Sequence, residues 1–181
     1  MDGVAHLFID RLHDSKLVSA IATSGAFATP CLVLNASIIG RTDAFLAADE
    51  RVSSKSSKEW HDTLRSSFNA YPQGSFEDLL ATVRALHKAG VGILVGIGAS
   101  IPQPQLGGLT YSASVHHKLQ MLVAAKLTPI EALLAATAPL AQIFRLSDRG
   151  RIVPSAGANL LLVNGNPMTN ITDALSIRSI W

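Results

Sequence analysis

Ser75-Phe76-Glu77-Asp78-Leu79-Leu80-Ala81-Thr82-Val83-Arg84-Ala85-Leu86-His87-Lys88-Ala89-Gly90-Val91-Gly92-Ile93-Leu94-Val95-Gly96 is the stretch that decides the fold. Ser75 suits an N-cap. Leu79, Leu80, Val83 and Leu86 recur at helical spacing over 76–89, and Gly90 is a natural stop. The chain passes at once into an apolar run, 91–96, of the kind that forms a strand covered on both faces. Toward the N-terminus, Val4-Ala5-His6-Leu7-Phe8-Ile9 is a similar short run. Asp14 caps a helix expected over 15–24, with Leu17, Val18 and Ile21 on one face and Gly25 at its end. Residues 26–34 read as another buried strand, broken only by Pro30. Strand, helix, strand, helix, strand is a βαβ rhythm, so the fold class is α/β with a parallel sheet under helices.

The segments on either side of this frame are less regular. Residues 35–75 have no clean period, and Ser53-Ser54-Lys55-Ser56-Ser57-Lys58 reads as a loop or an exposed helix start. A Gly/Pro-rich loop is expected over 97–108. Helices are expected over 111–125, 128–137 and 138–146. Thr128-Pro129-Ile130-Glu131 combines a Thr cap, Pro in the first turn and Glu at the capping-box position. After Gly150 short strands are expected over 151–154, 159–163 and 177–181, with a turn at Asn164-Gly165-Asn166-Pro167. A small β element thus follows the α/β body.

Composition narrows the function classes. Of 181 residues, 48% are hydrophobic and 15% charged, against about 25% charged in ordinary globular domains. That balance predicts apolar surface made to face other elements or a partner chain. The net charge is +2 with a pI near 8.9, but the basic residues are scattered, which argues against nucleic-acid binding. The apolar runs are too short to span a bilayer, and no basic segment followed by an apolar one opens the chain. Cys31 is the single cysteine, which excludes an intrachain disulfide and fits a reducing, cytoplasmic setting.

Three segments carry a resemblance. Leu127-Thr128-Pro129-Ile130-Glu131-Ala132-Leu133-Leu134-Ala135-Ala136-Thr137 resembles the GLTPxEALxAAT segment of the amidohydrolase superfamily. Asp148-Arg149-Gly150-Arg151-Ile152-Val153-Pro154-Ser155-Ala156-Gly157-Ala158-Asn159-Leu160-Leu161-Leu162-Val163 resembles DRGxIxPGxxADLLLV. Asn164-Gly165-Asn166-Pro167 and Ile177-Arg178-Ser179-Ile180-Trp181 resemble DGDP and IRxVW. The similarity extends to Asp2-Gly3-Val4-Ala5-His6 and to 109–123, and is closest to the imidazolonepropionase-like branch. Residues 35–75 match loosely. The resemblance implies the C-terminal part of a (β/α)8 barrel, strands six to eight with their helices over 1–147, and part of an appended β-sandwich over 148–181. Met1-Asp2-Gly3-Val4-Ala5-His6 then reads as the inside of a barrel strand, which predicts a truncated chain.

The resemblance also implies chemistry. Family members bind one or two divalent metals, usually zinc. The ligands are an HxH pair on the first strand, Lys or Glu on the fourth, His on the fifth and sixth, and Asp on the eighth. The metal acidifies a bound water and the eighth-strand Asp accepts its proton, so that an amide or cyclic amide C–N bond of a small-molecule substrate is hydrolysed. His6 falls at the sixth-strand ligand position, 28–34 at strand seven and 93–96 at strand eight. The family's GTDA segment is here Gly96-Ile97-Gly98-Ala99, so Gly98 stands where the Asp is expected. The other ligands have no counterpart. His116 matches a position often held by His near the substrate mouth. Asn159 replaces a structural Asp.

Two function classes follow: a degenerate amidohydrolase, or a non-catalytic binding module derived from one and completed by a second copy or a partner chain through open sheet edges. Other groups read as structural. His13, His61 and His87 are expected to face solvent, and His117 points about 100° from His116 on the same helix. Asp10, Asp14, Asp43 and Asp49 read as caps or surface charges, and Cys31 as a small core residue. Gly96-Ile97-Gly98-Ala99-Ser100 lacks the spacing of a phosphate loop.

Overall fold

The computed structural model describes residues 2–98 and 107–181. Strands β1 (Gly3–Ala5) and β2 (Phe27–Thr29) run parallel, with Val4 opposite Ala28 and Ala5 opposite Thr29. On its other side Ala28 bridges Ile93, also in parallel. The Ala28 N–H donates to the Gly92 carbonyl and the Leu94 N–H to the Ala28 carbonyl, both at 2.8 Å. β2 is therefore the central strand of the three expected apolar runs. The outermost run contributes one bridging residue only, because Val95 turns its N–H to the Ala135 carbonyl at 2.9 Å.

The strand expected over 26–34 is shorter than its apolar run. Pro30 has no N–H to continue a ladder, and the next residues form helix α2 (Leu32–Ile38) instead. Leu32, Val33 and Ala36 are buried, so the run is apolar because it is a core helix. Apolarity alone does not separate the two cases.

Helix α1 (Ser15–Thr23) follows its expected cap, Asp14, whose carboxylate accepts the Lys16 N–H at 2.8 Å. The irregular middle holds three short helices, α3 (Ala44–Ala48), α4 (Glu50–Ser53) and α5 (Lys58–Leu64). Each is too short to show a period, and each buries one or two side chains such as Leu46, Val52 and Leu64. Helix α6 (Phe76–Lys88) is capped by Ser75, which accepts the Asp78 N–H at 3.1 Å. Its Leu79, Val83 and Leu86 enter the main core together. Acids in its first turn and His87 and Lys88 in its last suit the helix dipole, and Gly90 follows at φ +81°. Helix α7 (Ala113–Ala124) and helix α8 (Pro129–Leu134) pack together, α8 behind a complete Thr128–Glu131 capping box. Helix α9 (Ala138–Ile143) ends earlier than expected.

At the C-terminus β3 (Leu161–Val163) pairs antiparallel with β4 (Ile177–Ile180). The strand expected over 151–154 does not form: Ile152 is 87% exposed and finds no partner strand among the described residues. A 3-10 helix, Ile171–Leu175, ties the hairpin to the body. Its Ile171 and Ala174 enter the main core, while Leu175 joins a smaller core with Leu46, Val52 and Leu64. Among the described residues no helix is long and apolar enough to cross a membrane. The loop expected over 97–108 lies, for 99–106, outside the described residues.

Candidate functional site

One turn of α7 serves three places. Consecutive helical residues project about 100° apart, so His116, His117 and Lys118 face different surroundings. His116 borders a cleft between α4, α5 and α7. His117 turns to Asp43 and Phe45: its Nδ1 lies 2.8 Å from an Asp43 oxygen and its ring meets Phe45 edge-on, centroids 4.8 Å apart. Lys118 is fully buried and its amine donates to the Pro30 carbonyl at the end of β2.

The ends of β1 and β2 bring together His6, Cys31 and Lys118, and Gly98 lies beyond the Ile93 bridge, against Leu34. His6 closes β1 in a left-handed conformation, φ +60°, with its N–H on the Thr29 carbonyl at 3.1 Å and its side chain exposed. Burial pushes the Cys31 thiol up, partly opposed by the Lys118 charge. Burial also brings the Lys118 amine down to about 7, with the Cys31 charge acting the other way. Gly98 sits at φ +75°, and a Cβ placed there would lie 2.9 Å from the Leu34 Cδ2. A side chain at this position is strained in backbone and crowded by Leu34.

These groups do not fit a zinc or other divalent centre. A tetrahedral zinc needs at least three protein donors, and no three His, Cys, Asp or Glu side chains converge among the described residues. A thiol kept protonated by burial is a poor ligand, and the Lys118 amine is engaged with Pro30. No step is routed through a metal here.

The cleft is built differently. It encloses about 500 Å³ between Val52, Trp60, Leu64, Tyr111 and Leu175. Trp60 and Tyr111 stack edge to face at 6.2 Å. Arg51 forms one wall: its guanidinium grips the Asp49 carboxylate at 2.6 Å, the Thr172 carbonyl at 3.1 Å and the Ser176 hydroxyl at 3.0 Å. That network holds the C-terminal 3-10 helix against α4. Burial, and then the Arg51 charge, pull the His116 imidazole below its ordinary value, and its Nδ1 is buried with no hydrogen-bond partner.

No protein-family model matches the sequence, and no curated protein matches it. Solved structures do. The chain is similar to a crystallised amidohydrolase at 25% identity and TM-score 0.60, over 97% of this chain and 37% of that one. This chain has part of an amidohydrolase fold. The same amidohydrolase-type architecture relates it to a Xaa-Pro dipeptidase with bound methionine in its active site (20% identity, TM-score 0.65, 97% of this chain, 37% of that one). A prolidase complexed with N-methylphosphonate-L-proline also matches (19% identity, TM-score 0.63, 99% and 38%). The chain spans 37% to 38% of the length of these structures.

His6 directly follows β1 and Gly98 lies in the irregular segment after the Ile93 bridge, whereas His116 faces the cleft. Two expectations are corrected. Asp43 does stand at the N-cap position of α3, though its side chain makes no cap hydrogen bond, and it is buried beside His117 of α7, 3% exposed, so it is not a surface charge. Its second oxygen and the His117 Nδ1 have no aligned hydrogen-bond partner. His13, His61 and His87 are likewise not simply solvated: they reach Thr82, Ser56 and Glu131 at 3.4, 2.7 and 3.2 Å. Asp14 and Asp49 do cap helices. Sequence reasoning missed Lys118, Arg51 and the Trp60–Tyr111 wall. The one available signal was a lysine at an apolar helical spacing with Leu122 and Ala125.

Proposed function

We propose that this is a degenerate amidohydrolase-type protein whose own residues no longer carry out metal-dependent hydrolysis of amide or cyclic amide C–N bonds. Residues 1–147 are assigned to a partial barrel holding strands six to eight, and 148–181 to a β-sandwich segment. His6 is assigned as a remnant metal ligand and His116 as a contact to a small-molecule substrate. The observation that carries the proposal is Gly98. At φ +75°, with Leu34 2.9 Å from where a Cβ would stand, the backbone has adapted to glycine at the position where the resemblance expects the proton-accepting Asp. The positive φ and the Leu34 contact support the reading that one substitution does not restore an acceptor here.

The test is turnover of N-acetyl amino acids, Xaa-Pro dipeptides and cyclic amides with Zn²⁺ or Mn²⁺ added. The expected result is none, for the chain and for Gly98→Asp alike. Turnover by the unmodified chain overturns the proposal. The second reading, a non-catalytic binding module, is favoured by the cleft beside His116, a half-open pocket lined by side chains of α4, α5 and α7. In either reading the free edge of β1, which pairs only with β2 among the described residues, is assigned to self-association or a partner chain.

A further inference from the structure

We propose that the cleft between α4, α5 and α7 binds a small carboxylic acid with an apolar body, its carboxylate held by Lys55 and His116. The proposal rests on the assignment of His116 as a ligand contact and is independent of whether any bond is hydrolysed.

Size and walls define the body of the ligand. A volume of about 500 Å³ is that of a pocket for a small organic molecule. Val52 and Leu64 form a buried floor, and the Trp60–Tyr111 pair, 64° between ring planes, forms an apolar side wall. A planar or branched apolar group of aromatic size fits such a surface. Next to this wall Ser112 stands at φ +62°, a conformation a serine rarely adopts and one that tends to be kept where it shapes a site.

Charge defines the head group. Among the described residues no acidic side chain lines the cleft, while Arg51, Lys55 and His116 do. Arg51 is already committed to Asp49, Thr172 and Ser176, so it serves as a fixed wall. Lys55 is exposed and has no ion-pair partner among the described residues. The His116 ring lines the cleft, and its Nδ1, shut off from solvent in the unliganded chain, has no hydrogen-bond partner among the described residues, so that a turn of the ring toward the ligand on binding is part of the proposal. A carboxylate answers both: one oxygen neutralises Lys55, and the other accepts from His116, whose protonation it favours. An amine ligand would face two cations. A neutral amide would leave Lys55 unanswered.

The experiment is titration calorimetry on the full chain with phenylacetate, phenylacetamide and phenethylamine. Phenylacetate is expected to bind one saturable site roughly tenfold more tightly than phenylacetamide, the scale of one charge-assisted hydrogen bond, and phenethylamine not to bind. Proton uptake on phenylacetate binding near neutral pH, read by comparing two buffers, is expected and is lost in His116→Phe. Lys55→Met, at an exposed position that does not disturb folding, is expected to weaken phenylacetate several-fold and leave phenylacetamide unchanged. No binding of phenylacetate, equal affinity for all three probes, or indifference to Lys55→Met overturns the proposal. Failure of the degenerate-hydrolase reading has a different signature, the appearance of amide turnover.

Discussion

The strand ends and the cleft beside His116 are joined through one helix, α7, yet they have opposite characters. At the strand ends the buried Lys118 bonds Pro30, the His6 backbone bonds Thr29 while its imidazole faces solvent, and Gly98 is packed under Leu34. In the cleft the walls are apolar, and among the described residues one ring nitrogen has no hydrogen-bond partner and Lys55 no ion-pair partner. A buried and paired group is held in place as structure, whereas a site with unmet donors can still take a ligand. The proposed function rests on that contrast.

The largest effect expected is at Lys118. Its amine is held at about 7 in the folded chain against an ordinary 10.5, so between these values the unfolded chain binds more protons. The cost of burying the amine is therefore full below pH 7 and is relieved as pH rises toward 10.5, by up to a few kcal/mol. Urea midpoints are expected to rise from pH 7 to 9, below the range where the raised Cys31 thiol adds the opposite slope. Lys118→Met is expected to flatten that rise. A wild-type slope of zero, or a slope kept in Lys118→Met, would remove Lys118 from the account of the strand ends.

Gly98→Asp comes next. Strain at φ +75° and the Leu34 contact are expected to cost roughly 1–3 kcal/mol, seen as a lower thermal midpoint, with no gain in amide turnover. A variant as stable as the parent would show that this loop has room for the carboxylate and would blur the contrast. The smallest effect is expected at His116. Its imidazole makes no bond through Nδ1, so His116→Phe should change stability by less than about 1 kcal/mol. A larger loss would make His116 a structural residue and the cleft a packing defect.

The sequence carried the helical frame well, for local reasons. Asp14, Ser75 and Thr128 are caps whose side chains act within three residues, and the observed helices start at each of them. Gly98 was also legible, through one short motif. What sequence did not carry is long-range. Leu32 and Val33 look alike in a strand and in a buried helix, and only Pro30 hinted at the change. Lys55 and Trp60 meet Tyr111 and His116 across some fifty to sixty residues of chain, and Asp43 meets His117 across a longer gap. Arg51 reaches still further, to Thr172 and Ser176. No local period records such contacts, so the cleft could not be anticipated, while the expectation at Gly98 came from one short motif.

The central claim, that the strand ends of this chain no longer form a metal centre, is tested most directly by elemental analysis of the purified protein after dialysis against zinc. The account predicts well under one zinc per chain, unchanged in His6→Ala, because His6 is exposed and no two further ligands converge on it among the described residues. One tightly held zinc per chain that disappears in His6→Ala would contradict it.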